Sequence, residues 1–261
     1  MGWTGEESVL LVLSTWLVIL FAGLRLARWG LMRKWPIEYG RLTIDKQRAT
    51  DFQVVEGVTE VFFLFFCGVL LAKRHIVGDY PDTFGVQGER VFALYLLAVH
   101  IVELFYRQSI RLPMLVHHIV TLVNISLAIS FQSMWSRTYI YFLGLIGWFM
   151  CLTSPQCFTF VAYRLFPLHE RTYHMVQAVA LQEGFSKIVL HALNLALLIS
   201  AVMPGGDYAN MPAWRYVIVF GSFILFIPAQ FYTTYVLSVL WRKIYRYRRT
   251  ATVVPLPQVA V

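Results

Sequence analysis

Charge is what this sequence has least of. Asp, Glu, Lys and Arg make up 14% of the 261 residues, against 58% hydrophobic residues, which excludes a solvated, disordered chain. The apolar residues fall in long blocks and not in short alternating runs, so a closed barrel of strands is excluded too. Cysteine is rare: Cys67, Cys151 and Cys157 lie in apolar blocks with no CxxC, which rules out a disulfide framework and leaves them as small core residues. Histidine is also thin, with seven residues, one adjacent pair and no HxxxH or HxxHH pattern. That spacing speaks against a membrane di-iron centre and against a pair of transmembrane haems, and no metal is expected. A cleaved leader is not expected either, because acidic residues precede the first apolar run and basic ones follow it.

What remains is an all-α polytopic membrane protein. Seven spans are expected, at about 9–28, 53–72, 91–108, 112–131, 138–160, 176–203 and 214–241. The chain divides into an N-terminal anchor helix and basic loop (1–50), a transmembrane domain (51–245) and a short tail (246–261). With the N-terminus outside or lumenal, sixteen Lys and Arg fall in cytoplasmic segments and five (Lys73, Arg74, Arg90, Arg137, Arg215) outside. The positive-inside rule therefore puts the C-terminus in the cytoplasm. The net charge of +8 belongs to headgroup contact and not to nucleic acid. Membrane lipids are the expected partners, and a homo- or hetero-oligomer in the membrane stays open.

Ionisable residues inside the spans carry the functional information, since each costs roughly 2.5 to 3.5 kcal/mol at a helix centre. Glu60, His100, Glu103, His117, His118, Glu183 and Lys187 are the candidates, with Thr121 and Asn124 beside them. At about 1.5 Å per residue they share one layer in the cytoplasmic half, which predicts a cavity or polar network open to the cytoplasm. His117, Thr121 and Asn124 form one helical stripe, with His118 turned about 100° away; Glu183, Lys187, His191 and Asn194 form another. Bland alternatives stand beside this reading. Glu183–Lys187 and Glu103–Arg107 are spaced as i, i+4 ion pairs, a lone His100 suits a hydrogen-bonded core position, and Glu56 is shallow enough for water to reach. His117 and His118 weigh more, because adjacent histidines cannot serve one packing partner, and a neutral imidazole can act as a general base.

The run "YLLAVHIVELFYRQSIRLPMLVHHIVTLVNISLA" resembles the TLC family, which includes ceramide synthases, a translocon-associated membrane protein and a ceroid-lipofuscinosis protein. An acidic-ended helix, here with Glu103, leads through a basic loop into an HHxxxT-like helix, here His117, His118 and Thr121. The resemblance implies an endoplasmic-reticulum protein of lipid metabolism or membrane lipid homeostasis. In the enzymatic branch it implies acyl-CoA-dependent N-acyl transfer to a sphingoid amine, with His117 or His118 as base or transient acyl acceptor. Acyl-CoA would be a co-substrate and not a resident cofactor, its phosphates met by Arg107, Arg111 and Arg171. The family's HDxxD motif has no counterpart here, and so a noncatalytic lipid-binding or lipid-sensing protein is the alternative.

Overall fold

A computed structural model describes residues 6–77, 82–130, 154–167, 169–204 and 213–251. Most of the fifth expected span and the end of the tail lie outside these residues, as do the side chains at 66–90 and at Asn124. Among the described residues the chain is all-helical, with no strand. The helices are α1 (Glu6–Lys34), α2 (Pro36–Gly40), α3 (Ile44–Val77), α4 (Asp82–Tyr106), α5 (Leu112–Ser130), α6 (Ser154–Leu165), α7 (Glu170–Val202) and α8 (Ala213–Ala251).

Local chemistry explains several boundaries. Arg33 and Lys34 occupy the last turn of α1, where cations complement the carbonyl end of the helix dipole. Trp35 precedes Pro36 and leaves helical geometry (φ −134°, ψ 61°), as the ring of a following proline requires. Pro36 then opens α2 at a position that needs no amide donor. Pro113 sits in the first turn of α5 for the same reason. His169 caps α7, its ring nitrogen accepting from the Arg171 amide at 3.2 Å. Pro228 lies inside α8, which continues through it to Ala251.

Six helices close into a ring: α3 packs on α4, α4 on α5, α5 on α8, α8 on α7, α7 on α6, and α6 back on α3. The first helix lies against α3 and α4. Its inward residues Leu20 and Leu24 join a core with Phe52, Phe63, Tyr95 and Val102. Phe63 and Tyr95 stack at 4.2 Å between ring centres, and Trp16 meets both.

The outer faces of α3 and α7 are apolar. Large apolar side chains face outward on successive turns, among them Val58, Phe62 and Phe65 of α3 and Leu181, Phe185 and Ile188 of α7. Charged side chains face inward: Glu60, Glu103, Glu183 and Lys187 are each at most 6% exposed. By length and composition, two of the described helices are apolar enough to cross a membrane, Ser8–Lys34 and Glu170–Ser200. Inward-turned charges lower the mean hydropathy of a helix such as α3 whatever its outer face presents.

One end of the ring is tied by a single carboxylate. Asp51, fully buried, accepts from Tyr39 Oη at 2.6 Å, Tyr106 Oη at 2.9 Å and Arg28 Nε at 3.1 Å. Four helices, α1 to α4, thus converge on one residue. Burial, reinforced by the carboxylate, holds the Tyr39 phenol well above the usual tyrosine range. Asp51→Ala would strand the Arg28 charge and two hydroxyls, at a cost of about 3–5 kcal/mol. Tyr39→Phe would cost about 1.5–3 kcal/mol, the range for a hydrogen bond to a charged group. Denaturation of the two variants in one detergent should rank them in that order.

Candidate functional site

All six ring helices line one cavity of about 420 Å³. Its mouth lies where α3 and α5 begin and α4 and α6 end, marked by Lys46, Ser109, Arg111 and Arg164. The Asp45 carboxylate fixes that rim by accepting from both the amide (3.2 Å) and the hydroxyl (2.7 Å) of Ser109, which hold its pKa below the usual aspartate range. Arg111 reaches across to Tyr232 Oη of α8 at 3.1 Å. Arg164 donates to the Gln53 amide oxygen, joining α6 to α3.

Deeper in, three imidazoles meet. His100 lies six residues before the end of α4 at Tyr106, roughly 9 Å along the helix. Its Nδ1 is 2.8 Å from Nδ1 of His118, and the Nε2 of His118 is 3.1 Å from Glu103 Oε2. Glu103 is paired in turn with Arg107 through its other oxygen. His117 sets its ring edge-on to that of His100, with centroids 5.5 Å apart and an interplanar angle of 87°. These side chains are all but excluded from solvent: His100 is 3% exposed, Glu103 4%, His117 8% and His118 1%.

The carboxylate decides the proton positions. Ionised Glu103 can only accept, so the His118 tautomer with hydrogen on Nε2 is favoured. His118 Nδ1 then accepts from His100 Nδ1–H, and the lone pair of His100 is left on Nε2. That nitrogen has no hydrogen-bond partner among the described residues. A carboxylate–imidazole–imidazole chain thus ends in a base on a residue that lines the cavity.

The opposite wall carries two further groups. Cys157 Sγ on α6 is 3.3 Å from Glu56 Oε2 and 3.8 Å from Glu60 Oε2 on α3. Gly57 lets these helices approach: a Cβ there would sit 3.1 Å from Cys157 Cβ and 3.0 Å from the Phe158 ring. On α7, Lys187 pairs with Glu183 at 2.5 Å and donates to the Gln230 carbonyl at 2.9 Å and to Thr233. The Gln156 amide, in the orientation that satisfies both its ends, donates to the two Glu183 oxygens at 3.0 and 2.9 Å.

Set against the sequence expectations, Glu60, His100, Glu103, Arg107, Arg111, His117, His118 and Lys187 all line the cavity. Glu183 backs it through Lys187, and Thr121 is buried (7%) without being part of the lining. Asn124 lies on α5 with its side chain outside the description. Arg171 does not join the site; it is exposed in the first turn of α7, away from the cavity lining, and Lys46 and Arg164 supply charge at the mouth instead. His118, expected to turn away from the His117 stripe, lines the cavity as well, because it reaches sideways to α4. Glu56 is another cavity residue, facing Cys157. That cysteine had no signal beyond apolar surroundings; only the α3–α6 contact sets it against two carboxylates.

Ring nitrogens of His100, His117 and His118 lie within 4.8 Å of one another, and the donor atoms of Glu56, Glu60 and Cys157 form a second such group. Both trios have the composition of metal ligands. The chain matches no protein-family model, no curated protein and no solved structure.

Two outcomes follow from this geometry. Glu103→Gln removes the obligate acceptor, and nitrogen NMR of labelled histidine should show His118 shifting from the Nε2–H tautomer to a mixture. Gly57→Leu should force α3 and α6 apart and lower stability by roughly 1–3 kcal/mol, the range for overpacking, measured as a shift of the thermal midpoint in detergent.

Proposed function

We propose that this chain is a seven-span, TLC-like membrane protein of lipid metabolism in the endoplasmic reticulum, catalysing acyl transfer from acyl-CoA to an amine-bearing lipid. The observation that carries this reading is the Glu103–His118–His100 chain, which ends on an imidazole lining a cavity with a basic rim. The inverted polarity supports a lipid surrounding: apolar side chains face out on α3 and α7, and charged ones face in. Basic residues at the mouth suit the phosphates of a CoA-bound donor.

The chemistry balances with groups in place. The amine nitrogen of the acceptor attacks the thioester carbonyl as His100 Nε2 takes its proton. The carbon–sulfur bond breaks, the proton passes from the imidazolium to the leaving CoA thiolate, and amide and free CoA result. Arg107 pairs with Glu103, and Glu103 stabilises the positive charge that forms on the imidazole pair. The sequence places the base on His117 or His118; with His118 Nδ1 taken by His100 and its Nε2 facing Glu103 at 3.1 Å, His100 is the better candidate. The absent HDxxD motif favours a second reading, a lipid-binding protein without a reaction.

Protein purified into lipid discs and given labelled acyl-CoA with a long-chain base should form N-acylated product. His100→Ala and His118→Ala should each lower the rate by at least the roughly 10²–10⁴-fold attributed to general-base catalysis. Labelled lipid retained by the wild type, with no product from any acceptor amine, would leave the binding reading. Topology is checked separately: an engineered glycosylation sequon ahead of α1 should be modified, and one in the tail after Ala251 should not.

A further inference from the structure

We infer that His100, His117 and His118 form a binding site for a borderline divalent transition metal, with zinc the best match. The inference is independent of the acyl-transfer reading, since it concerns what the three rings bind and not what reacts beside them.

Three observations support it. First, three imidazoles from adjacent helices converge, one ring nitrogen of each lying within 4.8 Å of the others. Zinc–nitrogen bonds of about 2.0–2.1 Å in a tetrahedron place ligand nitrogens about 3.3 Å apart. Ring rotations closing the widest gap by about 1.5 Å would complete the set. Second, hydrogen bonding does not account for the cluster. His100 Nε2, on a side chain 97% buried, has no partner among the described residues, and burying a polar nitrogen unpaired costs free energy. Third, a second shell is present. A ligating histidine almost always gives its other N–H to a carboxylate, a backbone carbonyl or water, and His118 Nε2 lies 3.1 Å from Glu103 Oε2, with Arg107 anchoring the carboxylate.

Nitrogen donors select against magnesium and calcium, which take oxygen ligands. Three histidines with a fourth position facing a cavity is the donor count of an open site, not a closed structural one. Metal and proton then compete. The His100 Nδ1–H occupies the His118 Nδ1 lone pair that a metal needs, and a metal on His100 Nε2 removes that nitrogen as a base.

The test is binding of cobalt(II) and zinc to the full-length protein in lipid discs after chelator treatment, with no lipid substrate present. Cobalt should give d–d bands of tetrahedral intensity at one equivalent, displaced by zinc. His100→Ala, His117→Ala and His118→Ala should each abolish the bands, and the exposed His174→Ala should retain them. Glu103→Gln should weaken affinity by roughly 10- to 100-fold. X-ray absorption of the zinc-loaded wild type needs no variant and should show imidazole nitrogens at about 2.0–2.1 Å. A sulfur shell at about 2.3 Å would assign the metal to Cys157 and overturn the proposal. So would failure to bind, or bands that survive the triple histidine substitution. N-acyl transfer by the chelated protein, inhibited by one equivalent of zinc, would keep both readings. Transfer by the chelated protein without metal binding would keep the acyl-transfer reading alone.

Discussion

Polar side chains from six helices share one interior, and the ionisable ones must find their partners there. A carboxylate or ammonium taken out of water loses several kcal/mol of solvation, and a partner left alone costs more than the pair. This requirement decides which face of each helix turns inward. Lys187 and Glu183 select the inner face of α7; His118 and Glu103 select those of α5 and α4; Glu56 and Glu60 turn α3 toward α6. The apolar exterior is the complement of that choice. Asp51 applies the same rule at the edge of the ring, where three donors from neighbouring helices converge on one buried acceptor.

Much of this was legible one helix at a time. The all-helical class follows from long apolar blocks, and the stripe Glu183, Lys187, His191, Asn194 follows from the 3.6-residue period; all four are buried, between 2% and 8% exposed. Depth along each helix also placed Glu60, His100 and His117 in one layer. Neighbour relations were not legible. No spacing within α4 or α5 says that Nδ1 of His100 meets Nδ1 of His118, because the contact depends on how the two helices cross. Cys157 illustrates the same limit: its partners are about a hundred positions away in the sequence. The short α2 was missed because five residues are too few to show a period. Arg171 was grouped with the mouth by its place on the cytoplasmic side, but the first turn of α7 keeps it off the cavity wall.

The cavity combines two kinds of order. Around the His100–His118 pair, hydrogen bonds and ion contacts fix each ring, and Arg107 braces the carboxylate behind them. Toward the mouth the contacts are exposed, such as Arg111 to Tyr232 and Ser109 to Asp45.

The ring order has a consequence for how the protein is assembled. Read around the ring, the helices run α3, α4, α5, α8, α7, α6, so the chain builds two consecutive three-helix arms that meet at both ends. The imidazole cluster with Glu103 and Arg107 lies within the first arm, and Lys187 with Glu183, Gln156 and Thr233 lies within the second. The first arm can therefore neutralise its principal charges before the second has emerged from the ribosome, and the second can neutralise its own without drawing on the first. Only the α3–α6 seam, where Glu56 and Glu60 wait for Cys157, and the α5–α8 seam, latched by Arg111, depend on both. The cavity itself exists only when the last helix has docked.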